Sequence, residues 1–519
     1  MMYVTQGLKR AANTNGNAIA TIYLDRTKTW KDLRNRVAKM ASSLQALGLK
    51  KNDKVAILSL NNDRYLELFF SVPWAGQVVV PMNTRLALPE MEYIIEHSDA
   101  QVLCVDDQFK DAAIALQKHI PMLQHLVWIG EGLCPEGFHD MEDLIRKHDP
   151  IPDEEHGGGD VYGLFYTGGT TGKAKGVMLT HDNIVSNAMV VIPPVDYNRH
   201  TRYLHAAPMF HAADCGSTFA VTIMGGSHTF MPKFHPVHLL EQIEEQKVTA
   251  TMLVPTMLNM VANVPHLSQY KLSNLKELIY GASPMPVPLI EKLIKLFPRQ
   301  RFTQCLGMTE MAPVITCLFP DRHVLEGEYA GKLGSVGQET LTSEVRIVNS
   351  EGKDQPVGEV GELWVRGPMM MKGYWKNPEE TERTLEGGWL HTGDCGYFDE
   401  DNFIFLVDRK KDMIISGGEN VFSLEVENVL FQHPDIQECA VIGVPDEEWG
   451  ERVHAVVVPK AKKELSADEL IDYCRGKIAG YKVPRSVTFR DTALPLSGAG
   501  KVLKTELRKE YQETSVVGV

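Results

Sequence analysis

The sequence has few cysteines and no long apolar run. Its eight cysteines are scattered through 519 residues, and none has the spacing of a zinc site, which suits a reducing compartment. No uninterrupted apolar stretch approaches the ~20 residues that cross a bilayer. The first ten residues also lack the apolar core of a signal peptide. These absences predict a cytoplasmic protein and leave peripheral membrane contact open.

The sequence also lacks an excess of positive charge. It has 53 Lys and Arg against 67 Asp and Glu, a net charge of −14, and no strong Lys/Arg run. This argues against a nucleic-acid partner. The 44% hydrophobic and 23% charged content is that of a globular protein. The length predicts several packed units, and the sequence leaves a homodimer open.

Apolar β-rich runs alternate with helical patterns from about residue 54 to 310. Alternation of this kind predicts a layered α/β architecture with largely parallel sheets. The predicted helices are Asp63–Ala75 and His235–Gln246. The predicted strands are Lys54–Leu60, Gln77–Pro81, Gln101–Val105, Leu126–Ile129, Val161–Thr167, Tyr203–Ala207 and Thr249–Val254.

The pattern changes after about residue 330. Short strands at Glu344–Val348 and Glu362–Val365, between Gly- and Pro-containing turns, predict a small antiparallel, barrel-like unit. A charged connector follows, and beyond it Leu424–Phe431, Cys439–Val444 and Val453–Val458 form a compact α+β pattern. The predicted fold is α/β, with a large multi-layered N-terminal domain (1–407, barrel-like part about 330–407), a hinge (408–411) and a small mobile α+β C-terminal domain (412–519).

A glycine-rich segment between two predicted strands is the most informative part of the sequence. It reads Thr167-Gly168-Gly169-Thr170-Thr171-Gly172-Lys173-Ala174-Lys175-Gly176, and glycines let the backbone approach a phosphate. Taken alone, the segment is equally compatible with a phosphate-binding loop and with a flexible surface loop. A Walker A loop is disfavoured because Lys173 is followed by Ala174 and because a strand, not a helix, comes next. A kinase loop is disfavoured because no His-Arg-Asp or Asp-Phe-Gly segment follows.

This segment resembles the signature loop of the adenylate-forming superfamily. Other segments similar to that family follow in order over nearly the whole chain. They are Gly281-Ala282-Ser283, Leu306-Gly307-Met308-Thr309-Glu310, Gly361-Glu362-Leu363, Gly373-Tyr374-Trp375, Trp389 to Asp394, Asp408-Arg409, Ser416 to Asn420 and Gly500-Lys501. An ordered set is far more specific than any one motif.

The resemblance implies an AMP-forming acyl-CoA synthetase of the fatty-acid–CoA ligase type. Such an enzyme converts a carboxylic acid to acyl-AMP with ATP and transfers the acyl group to coenzyme A, releasing AMP and pyrophosphate. The implied co-substrates are ATP and coenzyme A, and the implied metal is Mg²⁺. Left open are an aryl-CoA ligase and an enzyme that loads a carrier-protein thiol. A luciferase-like oxygenase and a non-catalytic nucleotide-binding regulator are weaker alternatives.

The resemblance also assigns residues to the adenylation site. The implied catalytic residues are Lys501, Glu310 and Thr309. The residues implied at the magnesium ion are Glu310 and Thr167. Leu306 departs from the family, which often has an aromatic residue there to stack on adenine. The implied ATP-binding residues are Thr167, Gly168, Gly169, Thr170, Thr171, Lys175, Gly281, Ala282, Ser283, Leu306, Gly307, Met308, Thr309, Asp394, Arg409 and Lys501.

For the second half-reaction, Lys411 matches the family's hinge, and Gly417, Gly418 and Trp449 match its coenzyme A tunnel. The implied acyl pocket includes Phe210, His211, Cys215, Gly281, Met308 and Pro313. The pocket segments are mostly small or apolar and show no basic residue to pair with a second carboxylate, whose burial would be costly. We therefore expect a medium- or long-chain fatty acid, favoured over a benzoate, and poor use of acetate or an amino acid.

Overall fold

The computed structural model describes residues 1–167, 173–409, 412–446, 448–460, 465–497 and 502–514. The helices are α1 (Thr5–Asn15), α2 (Trp30–Ala46), α3 (Asp63–Trp74), α4 (Leu88–Ser98), α5 (Lys110–His119), α6 (Met141–Lys147), α7 (His181–Val195), α8 (Ala212–Met224), α9 (Pro236–Glu245), α10 (Pro255–Ala262), α11 (Val287–Leu296), α12 (Pro378–Thr384), α13 (Ser423–Leu430), α14 (Ala467–Cys474) and α15 (Lys504–Thr514).

The strands alternate with these helices over most of the chain. They are β1 (Ile19–Tyr23), β2 (Arg26–Thr29), β3 (Lys54–Leu58), β4 (Val78–Pro81), β5 (Ala100–Val105), β6 (His125–Trp128), β7 (His139–Asp140), β8 (Val161–Thr167), β9 (Lys175–Thr180), β10 (Arg202–His205), β11 (Ser227–Phe230), β12 (Ala250–Leu253), β13 (Glu277–Gly281), β14 (Arg301–Gly307), β15 (Val314–Leu318), β16 (Gln338–Glu339), β17 (Glu344–Val348), β18 (Gly361–Arg366), β19 (Gly373–Tyr374), β20 (Leu390–Phe398), β21 (Ile404–Arg409), β22 (Ile414–Ser416), β23 (Glu419–Val421), β24 (Ile436–Asp446), β25 (Gly450–Pro459) and β26 (Ser486–Phe489).

Two large sheets form the N-terminal part. One has the order β16-β15-β14-β13-β12-β10-β11-β1-β2 and the other β19-β9-β8-β4-β3-β5-β6-β7. Parallel pairs such as β3/β4, β3/β5 and β13/β14 run through their centres. The predicted layered α/β fold is therefore confirmed, and the predicted strands and helices differ from the observed ones by a few residues at their ends.

Aromatic side chains of α3 and α8 pack in the largest apolar cluster. Phe219 lies 6.1 Å from Phe69 and 5.5 Å from Tyr162, measured between ring centroids, and all three rings are buried. Rings of this size dominate the apolar area removed from water. Helix α3 begins where the Asn62 side chain accepts a hydrogen bond from the Tyr65 N–H at 2.7 Å, a standard N-cap.

The segment that the sequence predicts to be barrel-like is divided among three sheets. Strands β17, β18, β20 and β21 pair in that order, with β17 and β21 at the edges. Two short strands of the same segment, β16 and β19, join the large sheets instead. Two-residue strands carry no periodic pattern, so sequence alone could not place them.

The C-terminal part has its own sheet, in the order β23-β22-β25-β24 with β26 paired to β25. Its buried core includes Ile414, Val441 and Val457. Helix α14 begins where the Ser466 hydroxyl accepts a hydrogen bond from the Glu469 N–H at 3.2 Å. Strand β21 continues to Arg409, so half of the predicted hinge lies in a strand, and the domain boundary itself stays a prediction.

Candidate active site

Two predicted ATP-binding segments lie side by side at the carboxyl ends of β13 and β14. Gly281 ends β13 and pairs with Cys305 of β14. A Cβ at Gly281 would lie 2.2 Å from the Cys305 carbonyl oxygen, so only glycine allows this approach. The strands lead into Ala282-Ser283 and into Gly307-Met308. Ligands bind at this edge of open α/β sheets, and the arrangement therefore supports the predicted nucleotide site.

Glu310 lies in a single 3₁₀ turn, Thr309–Met311, directly after β14. Its side chain is buried and accepts a hydrogen bond from the Tyr374 hydroxyl at 2.9 Å. Its backbone carbonyl accepts from the Met371 N–H at 2.8 Å. Burial and the charge of Glu310 raise the pKa of Tyr374, so the phenol stays a proton donor to the carboxylate. Glu310 is thereby fixed at both its backbone and its side chain.

Lys175 lies beside the same tyrosine. It pairs with Thr167 across the β8/β9 hairpin, and its ammonium lies 5.1 Å from the centre of the Tyr374 ring. The ammonium also forms an ion pair with Glu380 of α12. Lys175 and Glu310 therefore both contact Tyr374, and Thr167 is the strand partner of Lys175. Gly168, Gly169, Thr170 and Thr171 lie outside the described residues.

The surroundings of Glu310 fit the predicted magnesium ion. Mg²⁺ is usually held by one or two carboxylates, with substrate phosphates and water completing its octahedron. Among the described residues, no group of three or more His, Cys, Asp and Glu side chains could hold a metal. A magnesium ion at Glu310 would thus take most of its ligands from the ATP phosphates and water.

Two of the predicted ATP-binding residues, Asp394 and Arg409, contact each other. Asp394 of β20 pairs with Arg409 of β21, and the Arg409 Nε donates to Asp394 Oδ1 at 3.1 Å. The Arg409 side chain is 47% exposed. A carboxylate with a free lone pair and a guanidinium with free N–H groups can together bind a diol.

The predicted coenzyme A tunnel residues also lie together. The Gly417 N–H donates to the Trp449 carbonyl at 2.8 Å, and a Cβ at Gly417 would lie 2.7 Å from the Trp449 ring. Gly418 has a φ of +85° with open space around its Cβ position. The guanidinium of Arg485 lies over the Trp449 ring, 3.8 Å from the ring centre. These residues form one exposed surface of the C-terminal part.

The predicted catalytic lysine, Lys501, and the predicted hinge, Lys411, lie outside the described residues. The nearby Lys504 forms an ion pair with Glu427 at 2.7 Å and donates to Ser423 Oγ at 2.5 Å. Both of these partners are buried. Lys504 therefore has a structural role, which supports the choice of Lys501 from the sequence.

Four of the six predicted acyl-pocket residues lie at the start of α8 or beside its first turns: Phe210, His211, Cys215 and Pro313. His211 caps this helix and accepts from the Ala213 N–H at 3.2 Å. Gly216 packs against Pro313, since a Cβ at Gly216 would lie 3.6 Å from Pro313 Cδ. Burial raises the pKa of the Cys215 thiol well above its usual range, so this cysteine is a wall residue and not a nucleophile.

Three features of this region were not predicted from the sequence. Tyr374 and Glu380 hold Glu310 and Lys175 as described above. The third is a buried pair formed by Asp214 of α8 and His205 of β10, with Asp214 Oδ2 2.6 Å from His205 Nδ1. The other carboxylate oxygen, Asp214 Oδ1, accepts a hydrogen bond from the Tyr203 hydroxyl at 2.9 Å. This pair ties α8 to β10. Tyr374 belongs to the segment Gly373-Tyr374-Trp375, which resembles a segment of the family. That resemblance was the one sequence signal available for these three features.

Sequence models of two families match the chain. The AMP-binding enzyme model matches residues 8–375, and the model of the AMP-binding enzyme C-terminal domain matches residues 425–501. The first match alone covers well over half of the chain. The second includes the predicted lysine, Lys501.

Curated relatives match over almost their whole length. A feruloyl-CoA synthase from Amycolatopsis sp is 40% identical over 505 residues, covering 97% of this chain and 98% of the relative. A long-chain-fatty-acid–CoA ligase from Mycobacterium tuberculosis is 34% identical over 492 residues, covering 94% and 93%. The crystal structure of an anthranilate CoA ligase in complex with anthranoyl-AMP matches with a TM-score of 0.92 at 27% identity, covering 99% and 98%.

Proposed function

Because this chain belongs to the AMP-binding enzyme family, we propose that it activates an apolar carboxylic acid as its acyl-adenylate and transfers the acyl group to coenzyme A. It is an acid–thiol ligase that forms AMP, with ATP and coenzyme A as co-substrates. The observation that carries the proposal is that Lys175 and Glu310 both contact Tyr374, with Glu310 directly after β14.

In the first half-reaction, a carboxylate oxygen attacks the α-phosphorus of ATP while the bond to the β-phosphate oxygen breaks. Negative charge increases around the transferring group, and fixed positive groups stabilise it. Mg²⁺, when bound at Glu310, supplies such charge. Tyr374 holds the carboxylate of Glu310, Lys175 adds an ammonium beside it, and Lys501 is the proposed lysine at the reacting carboxylate and α-phosphate.

In the second half-reaction, the thiol of coenzyme A attacks the acyl carbon and AMP leaves. The proposed entrance is the surface of Gly417, Gly418 and Trp449. Glycine suits this surface because a Cβ at Gly417 would lie 2.7 Å from the Trp449 ring and because the φ of +85° at Gly418 favours a residue without a Cβ. We propose that the C-terminal part reorients about Lys411 between the two half-reactions.

Two classes of acid suit the apolar pocket. The small and apolar lining from Phe210 to Pro313 supports an alkyl chain, for which each buried methylene can contribute ~0.8 kcal/mol, and a fatty acid is our proposal from the sequence. The feruloyl-CoA synthase at 40% identity favours an aryl acid of the hydroxycinnamate kind as the second candidate. Neither class requires a basic residue in the pocket.

Kinetics on a panel of acids tests the proposal. The panel pairs straight-chain acids from acetate to long-chain acids with benzoate, cinnamate and ferulate, and acyl-CoA is quantified directly. We expect kcat/KM to rise from acetate to medium-chain acids and to stay high for one of the two classes. Absence of thioester with every acid, or a clear preference for acetate or an amino acid, would contradict the proposal. Product formed only on a carrier-protein thiol would identify a different acceptor.

A further inference from the structure

Two cysteine thiols face each other across the strand pair that leads into the adenylation site. Cys305 of β14 and Cys317 of β15 are directly opposite in the antiparallel register, and their sulfur atoms lie 3.5 Å apart. Both thiols are free. Nothing in the proposed function uses either of them.

The geometry of this cysteine pair suits a disulfide. Directly opposite residues of an antiparallel pair have Cα atoms about 4.5–5.5 Å apart, and a disulfide joins Cα atoms about 4.4–6.8 Å apart. From their separation of 3.5 Å, the sulfurs need to approach by about 1.5 Å to reach the ~2.0 Å of an S–S bond. The bond can therefore form without a change of strand register.

The two thiols differ in their access to solvent. Cys305 is partly buried, whereas Cys317 is 1% exposed and belongs to the largest apolar cluster. The hydrogen bond with Cys305 and burial raise the pKa of the Cys317 thiol well above its usual range, so Cys317 stays protonated. An oxidant therefore reaches Cys305 first, and Cys317 is placed to react with the oxidised sulfur.

Close backbone packing connects the cysteine pair to the site. Gly281 of β13 pairs with Cys305 and approaches its carbonyl oxygen too closely for a Cβ. On the other side, a Cβ at Gly337 would overlap the Cys317 carbonyl. Drawing the two sulfurs together must therefore displace β14 or β15 from a tightly packed neighbour. Strand β14 leads directly into the turn that holds Glu310.

We propose that Cys305 and Cys317 form a reversible disulfide when hydrogen peroxide is present, and that this bond slows adenylation by displacing the end of β14. The effect on adenylation rests on the proposed function. The Cys305 sulfur attacks one peroxide oxygen, which gives a sulfenic acid and water. The Cys317 sulfur then attacks the sulfenic sulfur, whose oxygen leaves as a second water. In total, two thiols and one peroxide give one disulfide and two waters.

The test treats the full chain with hydrogen peroxide, removes the oxidant with catalase and follows two readouts. Mass spectrometry of a digest prepared without reduction should show a peptide pair joined through Cys305 and Cys317. Acid-dependent ATP–pyrophosphate exchange should fall about tenfold to 100-fold, since a displacement of ~1 Å near the reacting atoms can cost that much. Dithiothreitol should restore the exchange rate and separate the two peptides.

Three variants assign the response to this pair. Cys305→Ser and Cys317→Ala each remove one partner, and each should exchange at the same rate before and after peroxide. Cys317→Ala leaves a small cavity in the core, and Cys305→Ser tests the same bond at the more exposed partner. Cys134→Ser is the matched control, because Cys134 is also partly buried but lies between β6 and β7. It should lose exchange activity in peroxide as the unaltered protein does.

Three results would overturn the proposal. They are a digest in which Cys305 and Cys317 stay unlinked, a linked protein that exchanges at the full rate, and a Cys305→Ser variant that peroxide inactivates as strongly as the unaltered protein. If the reduced protein shows no exchange, the proposed function fails separately. The digest still tests the disulfide, and calorimetric titration of ATP into the reduced and oxidised protein tests its effect on the site, where equal affinities would refute it.

Discussion

The two groups of candidate ATP-site residues are held in different ways. Glu310, in the large N-terminal part, is 8% exposed and is fixed by hydrogen bonds to its side chain and backbone. Asp394 is paired in the β20/β21 ladder with Arg409, a residue of the predicted hinge, and the two side chains share a hydrogen bond, but the Arg409 side chain is 47% exposed. An exposed ion pair contributes ~0–1 kcal/mol, whereas loss of a buried bond to a charged group costs ~1.5–3 kcal/mol.

This difference suits the two half-reactions. Charge stabilisation during adenylation needs groups that do not reorganise, and Glu310 is such a group. If the small domain turns about Lys411 as we propose, residues next to the hinge would exchange partners, and a weak exposed pair would allow this. Substitutions in the rigid group should therefore lower the rate of adenylation, and substitutions of Asp394 or Arg409 should weaken ATP binding. Substitutions at the proposed hinge and tunnel should impair the thioester step.

The largest effect is expected at Lys501. Lys501→Ala removes the proposed ammonium at the reacting carboxylate, and one preorganised electrostatic contact is worth ~10²–10³ in rate. Acid-dependent pyrophosphate release should fall by that factor, while supplied acyl-adenylate should still yield thioester. Lys509→Ala is the control, since Lys509 is an exposed lysine of α15 paired with Glu506. Equal loss in both half-reactions would refute the assignment.

The next largest effect is expected at Tyr374. Tyr374→Phe keeps the ring under Lys175 but removes the donor to Glu310, so we expect adenylation to fall about tenfold to 100-fold and the magnesium requirement to rise. The rate of thioester formation from supplied acyl-adenylate should not change. Tyr270→Phe removes the same atom in an unrelated cluster and serves as the control. Normal adenylation at low magnesium in Tyr374→Phe would show that Glu310 does not need this bond.

The elements of the fold were largely predictable because they are local. Apolar runs and helical periodicity located α3, α9 and the central strands to within a few residues. Strand β19, which is two residues long, has no such pattern. Its pairing with β9 nevertheless brings Tyr374 beside Lys175, so a short strand without a sequence signal positions part of the site.

The contacts within the site were not predictable for a related reason. Tyr374 lies 64 positions from Glu310, and Glu380 lies 205 positions from Lys175. Periodicity reports which face of an element is buried, but it does not report which distant residue meets that face. The ordered motifs identified Glu310, Lys175, Asp394 and Arg409 as site candidates, and only the tertiary structure identified the residues that hold them.

The third largest effect is expected at the proposed coenzyme A tunnel and hinge. Gly418→Leu should fill the proposed tunnel and lower thioester formation by about tenfold or more, while acid-dependent pyrophosphate release is spared. Lys411→Pro should give the same pattern by restricting reorientation. Gly358→Leu is the matched control, because Gly358 has the same φ of +85° and open space around its Cβ position. Loss of adenylation before thioester formation would contradict domain alternation.

The smallest effect is expected at Leu306, in the strand that leads into the turn of Glu310. Leu306 of β14 pairs with Thr316 of β15, and its side chain is partly buried against the large core. It therefore offers apolar contact but no ring. Leu306→Tyr would add a face for adenine, and base–aromatic stacking contributes ~1–3 kcal/mol in other nucleotide sites.

Because the ring must also fit against the core, we expect the lower end of that range, about a fivefold fall in the KM for ATP. Leu306→Met conserves volume without a ring and should leave the KM unchanged. Thermal unfolding of both variants identifies any loss of packing. If Leu306→Tyr folds with an unaltered Tm and binds ATP no more tightly, adenine does not lie against this residue, and the nucleotide must be held chiefly by its phosphates, on the rigid side of the site.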